Sequence, residues 1–122
     1  MGHLSLCSTK PERISSICAV LSETDVINMV SRGIDTSDIV KGIHLAISDR
    51  IFKMLSTLKA NSPVLLTIGM AKDKGLLTTL EETVKSKNLL YEIKSSTDSM
   101  FAGSLGAAIL GGFRYERLEE AS

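Results

Sequence analysis

One corner of the sequence has the residue types of a ligand-binding turn. In LLTIGMAKDKGLL, residues 65–77, a β-rich apolar run ends at Gly69 and a helical pattern opens a few residues later. A glycine at the end of a strand lets a ligand approach the backbone closely, and the free amide groups at the start of a helix bind phosphate. Lys72 and Lys74 could reach the same phosphates. The corner is consistent with nucleotide binding, but the pattern alone favours an ordinary strand-to-helix turn, because single glycines are common in such loops.

Two further side chains could carry chemistry, and each also has a simpler interpretation. Cys18 precedes a capped helix pattern, whose positive end would stabilise a thiolate or an anionic cluster. Among apolar neighbours it is also interpreted as a small buried hydrophobe. His44 lies beside an apolar helix stripe and is interpreted as a satisfied or solvated histidine. Cys7 and Cys18 form no CxxC and have no histidine group near them, so they do not predict a self-contained metal site.

The composition indicates one domain with a real core and no electrostatic preference for a polyanion. The chain has 122 residues, 43% of them hydrophobic, with 14 basic and 14 acidic side chains. Nucleic acid and membrane are therefore not predicted partners. No apolar run approaches the roughly 20 residues of a membrane span, and the N-terminus lacks a secretory apolar core, so we expect a cytoplasmic protein. The start of the chain, strand-like but without an obvious partner, indicates a piece of a longer protein.

Capping signals predict two consecutive helices in the first half of the chain. The S-x-x-D signature at Ser22 predicts a short helix from about Glu23 to Arg32, which Gly33 would end. Asp35 or Thr36 caps the next helix, which is the longest. Its core face is predicted from residues spaced three or four apart: Ile39, Ile43, Ile47, Ile51, Met54 and Leu58.

Apolar runs predict strands on either side of these helices. ISSICAVL, residues 14–21, reads as a short buried strand, and VLLTI, residues 64–68, as a central parallel strand that is apolar on both faces. A helix containing Leu76 and Leu80 follows, then a strand in LLYEI and a loop in SSTDS. The order helix, helix, strand, helix, strand, helix predicts an α/β layer architecture with parallel pairing.

The last segment, MFAGSLGAAILGGFRYERL, predicts a helix with an unusually small face. Ala102, Gly103, Gly106 and Ala107 would let its backbone lie close to another group. Glycine inside a helix costs about 0.5–1 kcal/mol relative to alanine, so these glycines need a packing reason. We predict close packing on a ligand or on the sheet.

Several stretches together resemble one family. ISSICAVLSETDVINMVSRGI, IVKGIHLAISDRI, LLTIGMAKDKGLLTTLEE and DSMFAGSLGAAILGGF are similar, in this order, to successive motifs of the BadF/BadG/BcrA/BcrD ATPases. The family contains ATP-binding subunits of benzoyl-CoA reductase and activators of 2-hydroxyacyl-CoA dehydratases. The stretch DSMFAGSLGAAILGGFR resembles the reductase subunits more closely.

The resemblance implies the actin-like fold of sugar kinases and heat-shock chaperones, with ATP and Mg²⁺ between two ribonuclease-H-like halves. Residues 1–122 would be the C-terminal nucleotide-binding part. Family members couple ATP hydrolysis to low-potential electron transfer from ferredoxin to catalytic subunits that reduce benzoyl-CoA. A 4Fe-4S cluster bridges two homologous ATPase subunits, and Cys18 matches one of its ligands. Because such a cluster takes four thiolates and this chain matches one family ligand, we expect that this chain alone does not hold it. The resemblance also implies that the phosphate-binding loops and the Mg²⁺-binding carboxylate belong largely to the other half, so we expect no ATP hydrolysis by this chain alone.

The resemblance also implies a role for residues 68–73 in nucleotide contact. The family pattern there resembles G-G-x-A-x-N beside the adenosine, and this chain has Ile68-Gly-Met-Ala-Lys-Asp73. Ile68 in place of the first glycine adds a branched side chain, which would weaken nucleotide binding or shift the base. The residues predicted to contact nucleotide are Gly69, Met70, Ala71, Lys72 and Gly103.

Three other functions stay open from the sequence. The first is an activator of a 2-hydroxyacyl-CoA dehydratase. The second is a sugar or amino-sugar kinase of the same superfamily, in which Cys18 would be redox-inert. The third is a non-catalytic interaction module whose corner binds no nucleotide.

Overall fold

The protein is described by a computed structural model that covers residues 2–15, 19–67 and 69–120. Helices alternate with two short strands in the predicted order, and one helical turn precedes them. The elements are α1 (Gly2–Ser5), α2 (Ala19–Ser31), α3 (Thr36–Thr57), β1 (Val64–Leu66), a 3-10 turn (Gly69–Lys72), α4 (Lys74–Ser86), β2 (Ile93–Ser95), a second 3-10 turn (Thr97–Phe101) and α5 (Ala102–Glu120). No helix among the described residues is long and apolar enough to cross a membrane.

The strands pair in parallel, as predicted, with Val64 opposite Ile93 and Leu66 opposite Ser95. The described residues form a two-stranded sheet, so the prediction of a central strand is wrong for β1. Leu65 shows the reason, since 61% of its surface is exposed. A 3-10 turn follows each strand on its carboxyl side, and the two turns contact each other. The sheet therefore places the Gly69–Lys72 turn and the start of α5 at the same edge.

The core lies between α3, α4 and the sheet. Leu76 and Leu80 are each 1% exposed and pack with the buried Phe52. The rings of Phe52 and Tyr91 stack with their centroids 5.9 Å apart. The helix predicted after the corner is thus confirmed, together with its apolar face.

The core face of α3 differs from the predicted stripe. Met54 and Leu58 are 54% and 74% exposed, so their assignment to the core is wrong. The buried positions are Ile39, Val40, Gly42, His44, Ser48 and Phe52. Because α3 packs against both α1 and α4, its buried face includes small and polar residues that permit close approach. The Ser48 hydroxyl, for example, donates a 2.9 Å hydrogen bond to Thr83 Oγ1.

The N-terminal predictions need correction. Residues 2–5 form a helical turn and not a strand-like segment, and residues 19–21, at the end of the predicted strand, instead begin α2. Residues 16–18 of that predicted strand lie outside the described residues. The S-x-x-D signature lies inside α2, where the Ser22 hydroxyl donates to the Ser15 carbonyl and the Asp25 carboxylate accepts from the Ser15 amide. These side chains hold the incoming chain and do not cap the helix.

The remaining boundaries follow the capping signals more closely. Asp35 caps α3 by accepting a 2.8 Å hydrogen bond from the Ser37 amide. Gly33 ends α2 with a φ of 72°, a conformation that glycine adopts without steric cost. The third predicted strand is shifted toward Ile93, and part of the predicted SSTDS loop is the 3-10 turn Thr97–Phe101.

Candidate nucleotide site

The Gly69–Lys72 turn presents open backbone at the carboxyl edge of the sheet. Gly69 is exposed, and a Cβ built on it would meet no atom within 4 Å. Met70 is 47% exposed and Lys72 is also exposed, whereas Ala71 is only 6% exposed. The protein itself therefore leaves room beside Gly69, and Ala71 anchors the turn in the core. Ile68 lies outside the described residues.

Asp73 joins this turn to α4. Its side chain accepts a 3.0 Å hydrogen bond from the Leu76 amide, and its main-chain carbonyl accepts from Leu77. Because Asp73 is the N-cap, its carboxylate occupies the positive end of the helix that the sequence pattern predicted would bind phosphate. The family pattern G-G-x-A-x-N has an asparagine where this chain has Asp73. Its position directly before a helical pattern is a capping signal that could have identified it.

Two cavities meet at this turn, and both are lined by Gly69 and Asp73. One, of about 360 Å³, also has Gly2, His3, Lys72 and Lys74 along its wall. The other, of about 270 Å³, is walled mainly by apolar side chains and His44. Its lining residues are Ile43, His44, Ile47, Gly69, Met70, Asp73 and Leu76. A third cavity, of about 520 Å³, lies between residues 11–14 and the helices α3 and α4, away from the turn.

His44 connects the turn to α1. Its Nδ1 lies 3.1 Å from Ser5 Oγ, and its Nε2 lies 3.8 Å from Asp73 Oδ1. Burial lowers the pKa of His44, an effect that Asp73 opposes and Lys41 reinforces. Burial therefore favours the neutral form of the imidazole. Of the two interpretations of His44, satisfied or solvated, its burial and its bond to Ser5 support the first. The sequence did not indicate its proximity to Asp73.

The turn α1 lies directly on the beginning of α4. A Cβ added to Gly2 would clash with the Asp73 carboxylate, and one added to Gly75 would clash with Ser5 and with the Gly2 backbone. Ser5 is 1% exposed and its hydroxyl donates to the Gly2 carbonyl at 3.1 Å. The two glycines therefore permit a backbone contact that brings residues distant in sequence beneath the corner.

The beginning of α5 reaches the same edge through the Thr97–Phe101 turn, which contacts the Gly69–Lys72 turn. Ser96 and Ser99 form a capping box that fixes this second turn. Gly103 follows it, and a Cβ built on Gly103 would meet nothing within 4 Å.

The helix α5 is exposed along its whole described length, including Leu105, Ile109 and Phe113. The predicted close packing of its small face on the sheet is therefore wrong within the described residues. A side chain added to Gly106 would also meet open space. Gly103 follows the Thr97–Phe101 turn in the chain but lines neither of the two cavities at the Gly69–Lys72 turn.

The predicted metal ligand Cys18 lies outside the described residues. Cys7 is an exposed free thiol whose Sγ lies 3.6 Å from the His3 carbonyl oxygen. Across residues 2–15, 19–67 and 69–120, no group of three or more cysteine, histidine or acidic side chains is placed to hold a metal ion.

Comparison with known proteins places this geometry in a family. Residues 1–111 match the BadF/BadG/BcrA/BcrD ATPase family. The chain belongs to this family. It is 48% identical over 119 residues to a benzoyl-CoA reductase subunit of Thauera aromatica, and 36% identical over 109 residues to the (R)-2-hydroxyglutaryl-CoA dehydratase activating ATPase of Acidaminococcus fermentans. These matches cover 97% and 89% of the chain but 42% and 40% of the relatives, so the chain spans less than half their length.

Two solved structures superimpose on this fold. The (R)-2-hydroxyglutaryl-CoA dehydratase component A of Acidaminococcus fermentans superimposes with a TM-score of 0.76 at 35% identity, over 89% of this chain and 40% of that one. The 2-hydroxyisocaproyl-CoA dehydratase activator of Clostridium difficile, with bound ADPNP, gives 0.77 at 25% identity, over 99% of this chain and 43% of that one. The predicted α/β fold of the actin-like ATPases is confirmed.

Proposed function

We propose that residues 1–122 are the C-terminal nucleotide-binding part of an ATPase subunit of a benzoyl-CoA-reductase-type enzyme. The whole protein would couple ATP hydrolysis to low-potential electron transfer into the aromatic ring of benzoyl-CoA. Its partners would be a second homologous ATPase subunit, the catalytic reductase subunits and ferredoxin, in the cytoplasm. The 48% identity to the benzoyl-CoA reductase subunit of Thauera aromatica supports this choice within the family.

The main support for nucleotide binding is the open carboxyl edge of the parallel strands. Ligands of open α/β sheets bind outside the carboxyl ends of their strands, and here both strand-end turns meet at that edge. Gly69 and Met70 would offer backbone to the ligand, and Gly103 would leave space on the opposite side. A solved family structure with bound ADPNP supports an adenine nucleotide as the ligand.

The charges at the corner favour the adenosine end of that nucleotide. The Leu76 and Leu77 amides at the start of α4 are already satisfied by Asp73, and its carboxylate would repel a phosphate. The neighbouring cavity of about 270 Å³ is walled mainly by apolar side chains, which suit an uncharged ring system. Lys72 is exposed and would reach toward the ribose or a phosphate from the rim.

Calorimetric titration of the full-length protein with ADP and ADPNP tests this assignment. We expect both to bind, and Gly103→Ala to weaken binding by about tenfold because a methyl group would enter the space left for the ligand. Gly111→Ala is the matched control, since its Cβ also meets open space but lies two turns further along α5. Failure of both nucleotides to bind would instead support a non-catalytic interaction module. Equal affinities of the two variants would remove Gly103 from the site.

The iron–sulfur part of the proposal depends on Cys18. The family resemblance gives this residue as a cluster ligand, and a 4Fe-4S cluster takes four thiolates, so one further cysteine from each of two full-length subunits would be needed. When bound, the cluster would carry the transferred electron. The role of Cys18 would be to hold iron.

Iron analysis and electron paramagnetic resonance on anaerobically prepared full-length protein would test this role. We expect Cys18→Ser to lose the cluster signal and Cys7→Ser to keep it, because Cys7 is an exposed free thiol that matches no family ligand. A wild-type protein without iron in any preparation would favour a sugar or amino-sugar kinase. A signal that survives Cys18→Ser would contradict the ligand assignment.

A dehydratase activator is the second candidate, supported by 36% identity to one such ATPase and by both solved structures. Purification of the full-length protein from its natural source separates the two functions. Tight association with reductase subunits is expected for the first, and a detachable dimer for the second.

A further inference from the structure

Three polar side chains from distant parts of the chain meet beneath the Gly69–Lys72 turn. Ser5 comes from α1, His44 from α3 and Asp73 from the cap of α4. The imidazole lies between the other two, 3.1 Å from the Ser5 hydroxyl and 3.8 Å from the Asp73 carboxylate. Ser5 is 1% and His44 6% exposed, so water competes little for the contact between these two side chains, whereas the Asp73 side chain is 25% exposed.

The candidate site borders this cluster directly. Asp73 lines both cavities at the turn, and His44 lines the more apolar one. The Asp73 main chain also belongs to the turn, since its amide donates to the Met70 carbonyl at 3.1 Å. A shift of Asp73 would therefore move the turn, the first residues of α4 and a negative charge at the edge of the cavity together.

We propose that His44 is a positioning residue for the nucleotide: with Ser5, it fixes Asp73 and thereby the Gly69–Lys72 turn that meets the ligand. This inference rests on the proposed function of the turn as a nucleotide site. Ser5 holds the Nδ1 side of the ring, and the ring blocks movement of the Asp73 carboxylate toward α3. The carboxylate is then kept on the Leu76 amide, 3.0 Å away.

The same pair of helices contains a matched control. One turn beyond His44, the fully buried Ser48 donates a 2.9 Å hydrogen bond to Thr83 Oγ1 of α4. This bond also ties α3 to α4 in the interior, but neither side chain lines a cavity at the turn. Removing it tests the effect of lost helix packing alone.

The experiment compares His44→Leu, His44→Gln and Ser48→Ala in the full-length protein, with ADP affinity and thermal midpoint measured for each. We expect His44→Leu to weaken ADP binding by about tenfold, because a leucine cannot bond Ser5 and its side chain is therefore not held against the Asp73 carboxylate as the ring is. His44→Gln should recover most of the affinity, since its amide can hydrogen-bond Ser5 and so keep the side chain beside Asp73. Ser48→Ala should lower the thermal midpoint without changing the affinity.

Two results would overturn the proposal: unchanged ADP affinity in His44→Leu, or equal losses of affinity in His44→Leu and Ser48→Ala at equal loss of stability. Hydrogen exchange in the nucleotide-free protein gives a second measurement. The Leu76 and Leu77 amides should exchange faster in His44→Leu and at the wild-type rate in Ser48→Ala. If wild type binds no nucleotide, the proposed function fails and the ligand part of this inference with it, while exchange still decides whether His44 holds the turn.

Discussion

Replacing Gly75 with alanine is expected to lower the free energy of unfolding by about 2–3 kcal/mol and to loosen the candidate site. The new methyl group would overlap Ser5 Oγ and the Gly2 carbonyl oxygen, and would lie 2.9 Å from Gly2 Cα. The Ser5 side chain could rotate away, but the Gly2 backbone could move only if α1 lifted from α4. Urea unfolding gives the free energy, and an unchanged m-value would show that the denatured state is unaffected.

Gly106→Ala is the control for this measurement. Its Cβ would meet no atom within 4 Å, and alanine favours the helix, so the variant should be neutral or more stable by up to about 1 kcal/mol. If Gly75→Ala unfolded at the wild-type urea concentration, the contact of α1 with α4 would not exist in solution. The position of Ser5 beside His44 would then lose its basis.

Leu80→Ala is expected to be the most destabilising single truncation of the core, at about 3 kcal/mol or more. Leu80 is 1% exposed and packs with Phe52 and Leu76, the other buried members of the core cluster. With so few large buried side chains among the described residues, a cavity at this position has little else to collapse onto it. Thermal and urea unfolding should show the loss with the same cooperative transition.

Leu90→Ala provides the comparison, because Leu90 is 93% exposed and its truncation removes almost no buried surface. A change within about 0.5 kcal/mol is expected. Should Leu80→Ala cost no more than Leu90→Ala, the packing of α4 on α3 would be incorrect.

Both predictions concern α4, which contributes to the core and also to the candidate site. The helix α4 carries the core residue Leu80 on its inner face, and its cap, Asp73, forms part of the corner. The helix α1 packs closely against the first turn of α4, where Gly2 contacts Gly75. A substitution that moves α1 or α4 is therefore expected to displace the turn that contains Gly69, although the substituted residue does not contact Gly69.

The sequence by itself determined the elements whose signals are local. Periodicity and capping depend only on residues close in sequence. They predicted the Asp35 cap, the end of α2 at Gly33, the long helix α3 and the leucines of α4. The alternation of helices with strands also predicted parallel pairing. The family could also be predicted from the sequence, because several of its motifs occur in this chain in the expected order.

Only the tertiary structure decided which faces are buried and which residues meet. No spacing in the sequence could indicate that Ser5 and Asp73 lie on either side of His44, because their contact arises from the docking of α1 on α3 and α4. The buried face of α3 includes Ser48 because another helix approaches it. Whether a residue is buried depends on which other elements pack against it, and elements distant in sequence come into contact only when the chain has folded.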